Sequence, residues 1–202
     1  MAKLGPSGFE LNQIALSALF QSEWSAPVLI LGYPALIAQC IQGSIKQGLK
    51  RKPLPVGSAI LTGGGWKNFL QGVNVEPNSF RSLVSEFFDI PESHIRDMYG
   101  LTESPVVFVE CEKHHFHIPS FCRVDAVNPL QQTPLSEGEQ GLLRITHPFS
   151  TSFPLASVLT TDKISIHRDC PCGRPARYFV PHGRARSASF ETCAMAIGRQ
   201  LT

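Results

Sequence analysis

Charge of one sign is scarce in this sequence. Its 202 residues carry 18 Lys and Arg against 16 Asp and Glu, a net charge of +2, and no basic stripe runs through it. A surface built to neutralise phosphates along a strand needs such a stripe, so nucleic-acid binding is not expected. Long apolar runs are missing as well. None approaches the roughly 20 residues that a membrane helix needs. The start, Met1-Ala2-Lys3-Leu4-Gly5-Pro6, lacks the apolar core of a secretory signal. A cytoplasmic chain without a membrane span is therefore expected, and with it free cysteines instead of a disulfide framework. What is present fits a packed core: 43% of residues are hydrophobic and only 17% charged, which argues against disorder. The 16 Gly and 16 Pro predict abundant loops.

The first half of the chain alternates strand and helix. Residues 1 to 26 show weak helical patterning around Leu11 to Phe20. Val28-Leu29-Ile30-Leu31 reads as a short buried strand ended by Gly32. Pro34 suits the first turn of a helix that runs to about Lys46, with Leu36, Ile37, Cys40 and Ile41 on one face. Ala59-Ile60-Leu61-Thr62 is a second strand. Phe80, Leu83, Val84, Phe87 and Phe88 repeat at helical spacing, between Pro77 and Pro91. Ile95 to Tyr99 is a third strand. This order predicts a parallel sheet flanked by helices. After residue 105 short strands are expected near 106–109, 116–118, 122–127, 141–146, 157–160, 164–167 and 177–180, separated by Pro/Gly turns, a β-rich subdomain. The expected division is thus 1–105, an α/β part, and 106–202, a β-rich part. No repeat or low-complexity tract is present.

Four stretches carry residue types suited to a nucleotide. Thr62-Gly63-Gly64-Gly65-Trp66-Lys67 follows a strand, and glycines let a ligand approach the backbone where open α/β sheets bind ligands. Taken alone, it is equally a tight turn, and its spacing matches neither a Walker loop nor a dinucleotide fingerprint. Asp97-Met98-Tyr99-Gly100-Leu101-Thr102-Glu103 packs a ring, a hydroxyl and a carboxylate into a strand exit. Val158-Leu159-Thr160-Thr161-Asp162 ends an apolar strand in an aspartate able to accept two hydrogen bonds from a ribose diol, or to make an ordinary turn. Gly183-Arg184-Ala185-Arg186 offers guanidinium groups for phosphate or carboxylate.

In this order the four stretches resemble the adenylate-forming enzymes: acyl-CoA synthetases, peptide-synthetase adenylation domains and luciferases. Within that superfamily the chain is most similar to the acyl-protein synthetases, the LuxE-like fatty-acid ligases of bacterial bioluminescence. Phenylacetate-CoA ligases come second. The stretches that carry the likeness include Leu61 to Lys67, Ile95 to Gly100, Gly141-Leu142-Leu143-Arg144, Ser157 to Asp162 and Cys172-Gly173-Arg174. The resemblance implies the C-terminal part of an adenylating domain that uses ATP and Mg²⁺ on a fatty acid. It implies that Gly64 and Gly65 line the adenine pocket and that Tyr99 stacks on the base. Thr102 would meet the α-phosphate, Glu103 would help hold Mg²⁺, Asp162 would bind the ribose and Arg184 would sit at a hinge. It further implies acyl transfer to Cys193, in Glu191-Thr192-Cys193-Ala194, where the family usually has Gly-Cys-Ala. An acyl reductase partner in a fatty-acid reductase complex would follow.

Two features stand apart from that pattern. Cys111-x5-His117 and Cys170-x-Cys172 fall in two expected hairpins, and four such donors close a tetrahedral zinc site, with His114 and His115 as alternative ligands. Cysteine-containing turns with solvated histidines are the other reading. Cys40 and Cys122 read as small buried hydrophobes. The Ser/Thr/Gly-rich loop with which the superfamily grips the triphosphate has no counterpart in residues 1 to 26. A fragment, half of a split enzyme, a degenerate paralogue and a non-catalytic nucleotide-binding or zinc-stapled module are all compatible with that.

Overall fold

A computed structural model describes residues 2–5, 8–12, 15, 18, 22–49, 53–65, 79–149 and 156–185. At the N-terminus β1 (Ala2–Gly5) and β2 (Gly8–Leu11) form an antiparallel ribbon, with Ala2 opposite Leu11 and Gly5 opposite Gly8. The ribbon escapes the sequence pattern because Ala2–Gly5 and Gly8–Leu11 each carry only two apolar side chains, without the continuous apolar run that marks Val28 to Leu31. Of the helical patterning expected after Leu11, Ala15 and Ala18 are described and helical.

The first sheet contains β3 (Leu29–Gly32), β4 (Ala59–Gly63), β5 (Ile95–Leu101) and β6 (Ser104–Val109), in that spatial order. β3, β4 and β5 are parallel, and β6 folds back antiparallel on β5. Residue 105, where the change of texture is expected, lies inside β6. Helix α1 (Pro34–Lys46) joins β3 to β4, and α2 (Phe80–Phe88) lies between β4 and β5. Pro34 occupies the first turn of α1, where its missing N–H is no loss, and Ile37, Ala38 and Ile41 form its buried stripe. In α2, Phe80, Val84, Phe87 and Phe88 are buried; Asp89 then takes a left-handed conformation (φ 54°) ahead of Pro91. The opening expected at Pro77 lies outside the described residues.

Both helices cover one face of this sheet. Ile37, Ala38 and Ile41 meet Phe80, Val84 and Phe87 over Ile60 and Ile95. Burying each large side chain here stabilises by about 1.5–3 kcal/mol. The register places Leu29 beside Ala59, Leu31 beside Leu61 and Met98 beside Val109 on the opposite face. Leu29, Leu31, Val107 and Val109 are exposed there, although sheets built from parallel strands normally bury both faces.

The second sheet is antiparallel: β7 (Phe116–His117), β8 (Arg123–Val127), β9 (Gln140–Thr146), β10 (Ser157–His167) and β11 (Tyr178–Arg184), in the order β7-β11-β10-β9-β8. The two strands expected near 157–160 and 164–167 are one. Its pairing with β9 shifts register between Leu159 and Lys163, and its pairing with β11 between Asp162 and Ile164. Irregularities of this kind bend a strand without ending it and re-aim its side chains. Gly141 on β9 is dictated by close approach: a Cβ there would lie 2.6 Å from the Val127 carbonyl oxygen. The apolar face of this sheet, with Val124, Leu143, Ile145, Ile164 and Phe179, packs against Val106 and Phe108 of β6. The two sheets therefore meet along β5 and β6. No helix among the described residues is long and apolar enough to cross a membrane.

Candidate functional site

Tyr99, Asp162 and Arg184 converge where the two sheets meet. The Tyr99 hydroxyl donates to Asp162 Oδ2 at 2.5 Å, and Arg184 Nε donates to Asp162 Oδ1 at 3.0 Å. Asp162 sits at the register shift of β10, with its own N–H donating to Thr160 Oγ1. The Tyr99 ring lies edge-on to Phe116 and Phe179, at centroid distances of 6.1 and 5.5 Å, with Phe108 at 6.3 Å. Burial pushes the Tyr99 phenol well above its ordinary range, and the bond to Asp162 adds to this, so the tyrosine remains a donor.

The other nucleotide candidates flank this point. Gly63 is level with Met98, so Gly64 and Gly65 leave the sheet beside Tyr99. Both glycines are exposed, with φ of 75° and 68°, a left-handed conformation that favours glycine, and nothing lies within 4 Å of where a Gly65 Cβ would stand. Thr102 and Glu103 form the exposed turn between β5 and β6. Cys193, Lys67 and Arg186 lie outside the described residues.

Below this point runs a polar network without counterpart in the sequence reading. Thr62 Oγ1 donates to Asp97 Oδ1 at 2.7 Å, and the Asp97 N–H donates to Glu110 Oε2 at 2.8 Å. Arg81 of α2 reaches both Glu110 oxygens from one terminal nitrogen at 2.8 Å. Burial raises the Asp97 carboxyl above its usual range and the nearby Glu110 adds to this, against the Thr62 bond. The available signal was Asp97 and Glu110, a carboxylate inside one strand and another at the end of the next.

Cys111, His117, Cys170 and Cys172 come together in one group, their donor atoms all within 4.8 Å of one another. Tetrahedral zinc with bonds of about 2.3 Å to sulfur requires sulfurs about 3.8 Å apart. The Cys111 and Cys170 sulfurs are 3.8 Å apart, and His117 Nε2 is 3.2 Å from Cys172 Sγ. His117 Nδ1 lies 3.1 Å from the Ala176 carbonyl oxygen. Donation there fixes the tautomer that turns the Nε2 lone pair toward the sulfurs. The Lys113 N–H donates to Cys111 Sγ at 3.3 Å. His115 stacks on Tyr178 and places Nδ1 3.1 Å from Cys170 Sγ, beside the four, while His114 faces Glu110 at 3.4 Å. Burial pushes the Cys170 thiol up to about 11. At Cys172 burial also acts upward, but the Arg174 N–H and the neighbouring thiols outweigh it and hold that thiol below the ordinary value. The donor set, its spacing and the carbonyl behind His117 fit a zinc ion. Cys40 and Cys122 are half-buried, and burial raises both thiols, Cys40 to about 11.

The fold recurs in known proteins. The chain resembles a 2-hydroxyisobutyryl-CoA ligase at a TM-score of 0.63 with 18% identity, over 85% of this chain and 35% of that one. It resembles MbtA of Mycobacterium smegmatis at 0.56 with 15% identity, over 87% and 32%. These likenesses establish the fold of adenylate-forming ligases. A long-chain-fatty-acid–luciferin-component ligase of Aliivibrio fischeri is 32% identical over 111 residues, 54% of this chain and 29% of that one. The chain thus spans about a third of the length of these relatives. The family model for acyl-protein synthetase, LuxE, matches residues 8–202, nearly the whole sequence, and the chain belongs to that family.

Proposed function

We propose that this chain is the adenosine-binding part of an ATP-dependent, AMP-forming ligase that activates a fatty carboxylate and passes the acyl group to a protein cysteine. The observation that carries this reading is the meeting of Tyr99, Asp162 and Arg184, from three separate strands, beside the Gly64–Gly65 turn. In this reading residues 1–105 supply the base-binding face, and 106–202 supply the ribose carboxylate, the hinge and the acceptor cysteine. Gly64 and Gly65, lacking Cβ atoms, let the adenine lie against the backbone, and Tyr99 bounds that space. Asp162 accepts from the ribose hydroxyls. Thr102 donates to the α-phosphate and Glu103 holds Mg²⁺. Bound Mg²⁺ supplies a Lewis acid that offsets charge developing on the phosphate.

A carboxylate oxygen of the fatty acid attacks the α-phosphorus. The bond to pyrophosphate breaks and an acyl-adenylate remains. The Cys193 thiolate then attacks the acyl carbon and releases AMP, leaving a thioester reactive enough to pass on to an acyl reductase. The fatty-acid class rests on the name of the Aliivibrio fischeri relative. The grip on the β- and γ-phosphates falls to polypeptide beyond the third of the relatives that this chain matches. Incubation with ATP, Mg²⁺ and labelled tetradecanoate, together with the polypeptide that completes the triphosphate grip, tests the reading: acyl label is expected on the wild type and not on Cys193→Ser. Label retained by Cys193→Ser refutes that acceptor, and absence of AMP binding by calorimetry refutes the nucleotide reading.

The Cys111, His117, Cys170 and Cys172 group supports a second assignment, a structural Zn²⁺ site. Four protein donors leave no open position for catalysis, so the ion would tie the turn after β6 to the turn between β10 and β11. Metal analysis of freshly purified protein is expected to find one zinc per chain; none would refute it.

A further inference from the structure

We propose that Arg184 is a latch on Asp162, holding the carboxylate until a vicinal diol displaces it. This rests on the reading of Asp162 as the ribose-binding residue. A cis-diol donates to a carboxylate from its hydroxyls and needs an oxygen free to accept, and both oxygens of Asp162 have partners: Tyr99 on Oδ2 and Arg184 on Oδ1. The two partners are unequal. Tyr99 comes from inside, walled by Phe116 and Phe179. Arg184 comes from outside: its side chain is 56% exposed, whereas that of Asp162 is only 16% exposed. A ligand approaching the carboxylate therefore meets the guanidinium first, and Oδ1 is the oxygen that can change partners without opening the core.

The backbone just before the latch is uncrowded among the described residues. Gly183, just before the latch, has φ 77°, and nothing lies within 4 Å of where its Cβ would stand. The Arg184 side chain, 56% exposed, can leave Oδ1 for solvent. The exchange also has a use. A guanidinium released from Asp162 is a planar, permanently charged donor set beside a bound nucleoside, suited to a phosphate on that nucleoside. Diol recognition thereby turns the counter-ion of Asp162 into one for the phosphate. Exposed ion pairs hold weakly, so the latch discriminates by about two- to fivefold.

Calorimetric titration of the wild type and Arg184→Ala with adenosine and 2′,3′-dideoxyadenosine tests this. Neither ligand carries a phosphate, so loss of a phosphate contact does not enter. Adenosine is expected to bind Arg184→Ala about two- to fivefold more tightly than the wild type. Dideoxyadenosine, which lacks the diol, is expected to bind both equally. Raising the salt to about 1 M screens the exposed pair and should tighten adenosine on the wild type but not on the variant. Equal or weaker adenosine binding by the variant overturns the latch while leaving the nucleotide reading intact. An equal gain for dideoxyadenosine also overturns it, because Arg184 would then merely cover the base site. Failure of both nucleosides to bind either protein overturns the nucleotide reading and the latch with it.

Discussion

The two sheets hold their reactive side chains by different means. In the four-stranded sheet the strands are mostly parallel, and the candidates for ligand contact stand on exposed exits: Gly64 and Gly65 after β4, Thr102 and Glu103 after β5. Among the described residues no side-chain hydrogen bond or ion pair holds them. In the five-stranded antiparallel sheet, and the turns beside it, donors are cross-braced. Asp162 is held by Tyr99 and Arg184, and the four thiol and imidazole donors lie within 4.8 Å of one another. The first sheet leaves room for a ligand, and the second fixes the groups that would orient it. Tyr99 belongs to the first by sequence and to the second by its packing on Phe116 and Phe179.

Cys111→Ser breaks this difference hardest. Structural zinc contributes on the order of 10 kcal/mol in small zinc-dependent folds, and serine is a poor replacement for a thiolate ligand. The variant is expected to purify without zinc and to unfold many degrees below the wild type. Hydrogen exchange should quicken around β7 and β11 while amides near Ile60 and Ile95 stay protected. Zinc content and unfolding temperature equal to those of the wild type would show that the four residues are only neighbours.

Arg81→Met acts at the junction. Glu110, 6% exposed, would be left without its main partner. Leaving a buried acceptor without its charged donor costs about 1–3 kcal/mol. Urea unfolding is expected to show that loss in Arg81→Met and much less in the double variant Arg81→Met with Glu110→Gln. A single variant within about 0.5 kcal/mol of the wild type, the size of an ordinary surface effect, would mean that Glu110 is sufficiently held by the Asp97 N–H and His114.

How much of this was legible follows from the range of each signal. Helix α1 was readable to its ends because Pro34 and the Ile37–Ile41 spacing are local. The ribbon of β1 and β2 was not, since its strands lack the continuous apolar run that marks Val28 to Leu31. β10 was split because Thr160-Thr161-Asp162 has the polarity of a turn, yet the chain keeps pairing through a register shift. The Cys and His donors stood out because such residues are few. The ribose and base candidates rested on resemblance, since nothing local aims Asp162 at Tyr99. The tie of Arg81 to Glu110 spans 29 residues and depends on packing, which no local pattern records.

The smallest effect contrasts a half-buried aspartate with a buried one. Asp97, in the parallel sheet, has its carboxyl raised, chiefly by burial and further by Glu110. Asp125, on β8, is buried outright, but hydrogen bonds from Arg144 and Arg123 outweigh the desolvation and lower its carboxyl below the usual value. The signs differ. A lowered carboxyl contributes stability that is present above the ordinary aspartate value of about 3.9 and is lost as pH falls through the folded value. A raised one contributes most below about 3.9 and loses that contribution as pH rises through its folded value. Asp125→Asn is therefore expected to flatten the acid limb of a stability curve measured by urea unfolding between about pH 3 and 7. Asp97→Asn should steepen the rise with pH and gain on the wild type toward neutrality, because it removes the penalty of ionising in the parallel sheet while an amide oxygen still accepts from Thr62. Two variants that bend the curve in the same direction would remove the electrostatic part of the difference between the sheets and leave only their packing to explain it.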